Sequence, residues 1–488
     1  MLENIVTALP EFILFIGAMG LLMLGAFSDK HTYAIVSWGS VFVLLLAGLA
    51  SFHQSYAMSA FNGSYVVDGY TRFMKVMTFG ALAISVIMAQ DYFKRADLAR
   101  FEFPVLVLLS AAGMGMMISA NDLIAMYLGI ELQSLALYVL ATMNRNSLKS
   151  SEAGLKYFVL GALSSGLLLY GCSLLYGVSG GVSFEEIAKV GAGGDSINML
   201  QIVGIVFVMA GLAFKVSAVP FHMWTPDVYE GAPTPITALF AAAPKIAGFA
   251  VFTRLIFVAL PEAIASWQQI LIFMSIASML LGAFSAIGQT NFKRLMAYSS
   301  IGHMGFALVG FASGTSEGLS SLAIYIAIYA AMTLGTFACI LSLRNDEKMV
   351  EKIDDLAGLS RTQPALAAML AILMFSLAGI PPLAGFFGKF YVFRAAIEAG
   401  LYPLAILGVL ASVVGAYYYL RIVKIMYLDE PADIQIDPAP TELRWISTIF
   451  AAFSLLFFVY PQPLIELAQA AAAAMTAAGA QAVLSMAL

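Results

Sequence analysis

The chain has 488 residues, of which 61% are apolar or aromatic and only 11% charged, with a mean hydropathy of +0.90. A soluble protein carries about 25% charged residues, because its surface must be wetted, and the 24 Lys+Arg and 29 Asp+Glu of this chain could not cover a water-exposed surface of its size. The composition is that of an integral membrane protein; it excludes a cytosolic enzyme, a secreted domain and, with a net charge of −5, a nucleic-acid binder.

The N-terminal stretch MLENIVTALPEF carries Glu3 and Glu11 and no basic run, so it reads as a retained first span and not as a cleaved signal peptide. A spanning helix needs about 20 mostly apolar residues. Suitable runs follow near 9–27, 33–52, 71–90, 103–119, 122–142, 153–177, 199–219, 234–259, 267–288, 295–313, 319–342, 364–397, 402–427 and 443–460. They are continuous, without the alternation of barrel strands. The expected fold is all-α: a polytopic bundle of about fourteen transmembrane helices. The Ala-rich tail 464–488 reads either as an interfacial helix or as a weak extra span.

Loop charge alternates along the chain. One set of loops holds Lys30; Lys94, Arg95 and Arg100; Arg145 and Lys149; Lys293 and Arg294; Arg344, Lys348, Lys352 and Arg361; and Arg444, preceded by Arg421 and Lys424. The other set holds little beyond Lys189. The positive-inside rule places the first set in the cytoplasm and both termini outside. One loop of the inside set, between the seventh and eighth spans, has no basic residue.

Most ionisable residues sit in loops or near span ends, but five lie deeper: Glu131, Lys156, Lys215, Lys245 and Lys389. A charge near the bilayer centre costs about 2.5–3.5 kcal/mol even on the lenient insertion scale. A lysine can snorkel to the headgroups instead, most easily Lys156, which is close to its span's start. Glu131 has a shorter reach and calls for burial against a cation. His303 could join a proton path or be a packed polar residue; Arg254, Arg394 and Glu398, nearer span ends, read as structural or interfacial. Lysine suits a proton relay because a buried ammonium can deprotonate, whereas arginine stays charged.

Two of these lysines stand beside helix breakers. Lys215 precedes Pro220, Pro226, Pro233 and Pro235, and Lys389 follows Gly379, Pro381, Pro382 and Gly385. Proline removes a backbone donor and interrupts the helix, and interrupted backbone at membrane depth is tolerated only beside a polar cavity or inside protein. Paired interruptions point to an inverted repeat; two unrelated proline kinks are the alternative. Cys172 and Cys339 lie far apart in apolar runs and supply neither a disulfide framework nor a metal or cluster site, and His31, His53, His222 and His303 show no haem- or metal-binding pairing.

The stretches GIELQSLALYVLA, EAGLKYFVLGALSSGLLLYG, FKVSAVPFHMWTPDVYEGAPTPITALF, KRLMAYSSIGHMGF and LAGIPPLAGFFGKFYVF resemble the antiporter-like membrane subunits of NADH–quinone oxidoreductase, respiratory complex I, most of all the subunit N (ND2) type. The resemblance runs from about residue 100 to 430. It implies two inverted five-helix repeats, each with one discontinuous helix, and a chain of buried charges along the midplane: Glu131 on the fifth helix, Lys156 on the sixth, Lys215 on the first broken helix, Lys245 on the eighth and Lys389 on the second broken helix. Subunit M usually has glutamate at the position of Lys389, and subunit L a long lateral helix for which this chain has no room.

On that resemblance the chain divides into helices 1–3 (1–100), a first repeat with broken helix 7 (101–260), a second with broken helix 12 (261–430), and a final span with the tail (431–488). It implies a non-redox subunit of an NADH:quinone oxidoreductase in the bacterial inner membrane. Proton translocation would be driven by redox chemistry elsewhere, with no cofactor in this chain. The partners would be a neighbouring antiporter-like subunit, small membrane subunits and lipid. A subunit of a multisubunit sodium/proton antiporter is the alternative; a stand-alone transporter is weaker, for want of further polar clusters at the midplane.

Overall fold

The computed structural model describes residues 2–27, 32–55, 57–192, 198–345, 348–432 and 436–484; Lys30 and His31 lie outside the described residues. A short α1 (Leu2–Thr7) leads into α2 (Leu9–Phe27), α3 (Thr32–His53) and α4 (Gly69–Arg95). Between α3 and α4 an antiparallel hairpin pairs β1 (Met58–Ala60) with β2 (Tyr65–Val67). Next come α5 (Glu102–Ser119), α6 (Leu123–Ala141), α7 (Leu148–Ser179), the short α8 (Phe184–Ala192), α9 (Met199–Val216), α10 (Trp224–Gly231) and α11 (Thr234–Arg254). A π-helical turn, Leu255–Ala259, ends α11. Then follow α12 (Ile264–Ile287), α13 (Phe292–Ala312) and α14 (Ser316–Ser342), a second hairpin of β3 (Arg344–Asn345) and β4 (Lys348–Met349), and α15 (Leu359–Thr362). The chain closes with α16 (Pro364–Ala378), α17 (Ala384–Glu398), α18 (Tyr402–Leu428), α19 (Thr441–Leu456) and α20 (Gln462–Leu484).

Helix starts are set by side chains that accept from the first free backbone N–H groups. Asp68 does this for α4 in a reciprocal capping box with Thr71. Asp122, Ser147, Asn198, Asn291 and Thr315 do it for α6, α7, α9, α13 and α14.

Among the described residues, twelve helices are long and apolar enough to cross a membrane, against the fourteen spans expected. The two others fall on shorter helices. The run 364–397 is two helices of 15 residues each, α16 and α17, and 443–460 is the 16-residue α19. The tail forms α20, which packs on α4 and α14 with Ala468, Ala471, Ala472 and Met475 buried and is not among the twelve helices apolar enough to cross.

Every residue of α11 is buried, although Pro244 stands in its interior. With α13 and α14 it forms the centre of the bundle, while α2, α3, α7 and α18 expose apolar side chains such as Phe42, Leu163 and Val413. This inside-out pattern suits a hydrocarbon solvent, since helices facing lipid need no polar stripe.

The two ends differ in charge. Basic loop residues meet at one end through ion pairs: Arg344–Asp91 at 2.5 Å, Lys149–Glu230 at 3.1 Å, Lys293–Glu351 at 2.9 Å and Arg294–Asp227 at 2.7 Å. The loop that lacks basic residues therefore belongs to this end; it supplies the acids Asp227 and Glu230 that the neighbouring bases bind. The opposite end carries Asp68, Asp122, Glu185, Glu317 and Glu398. The broken segment α9–α10 runs from the acidic end to the basic end, and α16–α17 runs the other way, as an inverted repeat requires.

Candidate functional site: lysines at two broken helices

Both breaks follow from local sequence. After α9, Ser217 adopts a left-handed conformation (φ 61°) and closes the helix; Pro220 follows, and α10 begins only at Trp224. After α16, Gly379 adopts φ 87°, and Pro381 and Pro382 separate it from α17. A left-handed residue is a common way to stop an α-helix, and glycine adopts it without steric penalty. Each stop leaves carbonyl oxygens at the end of a half-helix, where the helix dipole favours a cation.

A lysine fills each of these places. Lys245, on α11, donates to Val216 O at 3.0 Å and to Ser217 Oγ, so it closes α9. Lys389, on α17, donates to Ala378 O at 2.8 Å, Leu377 O at 3.2 Å and Ser412 Oγ at 2.8 Å, so it closes α16. Among the described residues, neither is bound to a carboxylate. The rings of Trp224 and Phe306 lie 5.7 Å and 4.7 Å from the two ammonium groups, within the range of cation–π attraction. Gly379 also gives Lys389 its room: a Cβ there would lie 2.9 Å from Lys389 Cδ and 3.1 Å from Nζ.

Lys215 is the penultimate residue of α9 and is buried. Its ammonium donates to Ser134 Oγ at 2.7 Å, and Ser134 donates in turn to Ile130 O. Glu131, on the same helix α6, accepts from Ser165 on α7. The expected cation for Glu131 is therefore not in direct contact: the acid and Lys215 lie on either side of one turn of α6, each held by a serine. Glu131 is half-buried in this chain.

Lys156 lies at the basic end. It is 41% exposed and binds Glu152 and Asp227, each at 2.7 Å, within the ion-pair cluster of the basic end. Its position near the start of a 32-residue helix lets the ammonium reach that end, which is the snorkelling outcome. The lysines brought together by the breaks are thus Lys215, Lys245 and Lys389, with Glu131 beside the first.

His303 lies in the second half, with Nδ1 at 2.7 Å from Tyr325 OH and Nε2 at 3.1 Å from Tyr419 OH; Tyr419 also meets Ser299 at 2.5 Å. A cavity of about 620 Å³ opens beside Lys389 between α17 and α18, reaching Arg394 and Glu398 near the acidic end. Arg394 pairs there with Glu398 at 2.8 Å and Glu317 at 3.2 Å.

Two buried ion pairs escaped the sequence reading. Glu11 and Lys75 meet at 2.7 Å, and Asp68 and Arg254 at 2.6 Å. Lys75 is one turn inside its span and Glu11 is followed by FILF, a depth signal like that of Lys156; the wider separation of partners in sequence hid them. Among the described residues no group of three or more His, Cys, Asp or Glu is placed to hold a metal ion.

The family model described as NADH:quinone oxidoreductase/Mrp antiporter, TM, matches residues 120–415, which contain all five candidate residues. The NADH-quinone oxidoreductase subunit N of Parvibaculum lavamentivorans is 58% identical over 469 residues, covering 96% of this chain and 97% of that protein. A chain in the structure of respiratory complex I from Thermus thermophilus with bound Aureothin superposes with a TM-score of 0.81 at 31% identity, covering 94% of this chain and 99% of that one. A chain of the Mrp complex from Dietzia sp. DQ12-45-1b shares the fold, with a TM-score of 0.87 at 22% identity over 99% of this chain and 100% of that one. By sequence over nearly its whole length as well as by fold, this chain belongs to the subunit N family of NADH-quinone oxidoreductases, the antiporter-like membrane subunits of complex I.

Proposed function

We propose that this chain moves protons across the bacterial inner membrane along Glu131, Lys215, Lys245 and Lys389, driven by redox chemistry that other subunits of the oxidoreductase perform. The observation that carries the reading is the seating of Lys245 and Lys389 on the free carbonyls of two half-helices, with no carboxylate among the described residues bound to either. An ammonium held by neutral oxygens can give up its proton without stranding a buried anion. A directly paired ammonium cannot, because its partner favours the charged form. Lys156 belongs to the basic end, as a group where protons enter from the cytoplasm.

The acidic end faces the periplasm by the positive-inside rule, which puts the cavity beside Lys389 on the exit side. Both termini then lie outside. This chain holds no cofactor in this reading; its two cysteines are buried and free, in α7 and α14. Its partners are other membrane subunits of the complex, one an antiporter-like neighbour. A sodium/proton antiporter is less well supported, since the likeness to the Mrp chain is one of fold.

Lys389→Met tests this by removing the titrating group at similar volume. Assembled complex in vesicles should lose most of its pH-gradient formation per NADH oxidised. Lys389→Arg should fail as well, because a guanidinium will not deprotonate. Pumping at the wild-type level by both would show that Lys389 is only structural.

A further inference from the structure

The first three spans lie outside both repeats, and they hold a buried ionisable cluster that the lysine row does not use. Glu11 on α2 is 3% exposed and Lys75 on α4 is 1% exposed. Lys75 Nζ lies 2.7 Å from Glu11 Oε1 and donates to Tyr65 OH at 2.5 Å, while Tyr65 donates to Glu11 Oε2. The three groups form a closed ring. α5 is shaped around it: a Cβ at Gly115 would lie 2.4 Å from Glu11 Oε1.

The ring is not sealed from outside. A cavity of about 350 Å³ between α2, the β1–β2 hairpin and α6 is lined by Glu11, Tyr65, Ser64 and Asp122, with Phe12 and Leu128 among its apolar walls. It opens toward the acidic end. Ionisable groups inside a membrane are expensive and mark relays more often than scaffolding, and this one has both an internal proton donor and an opening.

We propose that Glu11, Tyr65 and Lys75 form a second proton-exchange site, separate from the lysine row and facing the acidic end. In the internal step Lys75 Nζ gives a proton to the Tyr65 oxygen as Tyr65 gives its own to Glu11 Oε2. A new O–H bond on Glu11 replaces an N–H bond on Lys75, and the ion pair becomes a neutral pair with no net change of charge. Glu11 then exchanges this proton for one from water through the cavity, so the cluster keeps its net charge and no anion is left unpaired. The other groups that face the ring are Asp122 at the start of α6 and, within electrostatic reach of Lys75, the Asp68–Arg254 pair; α5 contributes only uncharged residues, Gly115, Met116 and Ser119.

The test uses dicyclohexylcarbodiimide, an apolar reagent that adds to a protonated carboxyl within membranes, on the intact complex in native membranes, followed by mass spectrometry of the peptide containing Glu11. The expected result is an adduct on Glu11, as required of a carboxyl that takes up a proton inside the membrane, which is absent in Glu11→Gln. The wild-type measurement depends on no variant folding. No adduct on Glu11 would mean a permanent ion pair and overturn the proposal. Neither result bears on the Lys389 variants, so the lysine row stands or falls separately.

Discussion

The Lys215 ammonium is held 2.7 Å from Ser134 Oγ, one helical turn beyond Glu131 on α6. Glu131 and Lys215 are therefore coupled through the field and through a shared helix, not through contact. Losing a buried hydrogen bond to a charged group costs about 1.5–3 kcal/mol. Ser134→Ala should thus release Lys215 and lower pumping several-fold, while Glu131→Ala should lower it with the complex still assembled. If the two act through Lys215, Glu131→Ala/Ser134→Ala should be no worse than the worse single variant. The pH gradient formed in vesicles, normalised to assembled complex, measures all three; additive losses would show that the residues act independently.

Gly379→Ala should damage pumping more than assembly. The left-handed conformation costs a residue with a Cβ roughly 1–2 kcal/mol, and the new methyl would press on the Lys389 stem. The ammonium would then leave the carbonyls of Leu377 and Ala378. Blue-native electrophoresis for assembly and proton-to-electron ratio for function separate the two effects. A normal ratio in Gly379→Ala would show that the seating of Lys389 on α16 is dispensable.

Asp227 should matter more than any single base around it. It binds Lys156 and Arg294, each at 2.7 Å, whereas Lys149 has a single acid partner, Glu230, at 3.1 Å and is 68% exposed. An exposed pair contributes about 0–1 kcal/mol, so Lys149→Ala should be close to neutral. Asp227→Ala removes one acid partner from each of two cations, leaving Lys156 to Glu152 and Arg294 to Glu230, and frees the foot of α10, the helix whose Trp224 stacks on Tyr157 at 4.5 Å. Thermal inactivation of the complex at low and high salt would measure this. Equal effects of the two substitutions would argue against a clamp.

The sequence made some of this architecture legible and hid the rest, for physical reasons. Spans were legible because hydrocarbon imposes a length and forbids polar faces, and the breaks because proline and glycine act within a few residues. Lys389 and Lys245 could be read as buried from depth alone. Their partners could not: the groups that hold them are backbone carbonyls, which every residue has, exposed only once α9 and α16 stop. Lys156, close to its span's start, was legible as the lysine best able to snorkel, and α7 is 32 residues long and starts among the charges of one end. Glu11 with Lys75, and Asp68 with Arg254, are separated by 64 and 186 residues, and only packing joins them.

Pro244 immediately precedes Lys245 within α11. A proline brings no N–H, so the carbonyl of Phe240, four residues earlier, loses the donor an ordinary helix would give it. That vacancy falls one turn before the ammonium, in a helix with no exposed residue. The covalent chain thereby leaves a carbonyl acceptor without its helical donor one turn from Lys245, with no polar side chain needed to create it. Replacing Pro244 with alanine would return that donor and make the more regular helix.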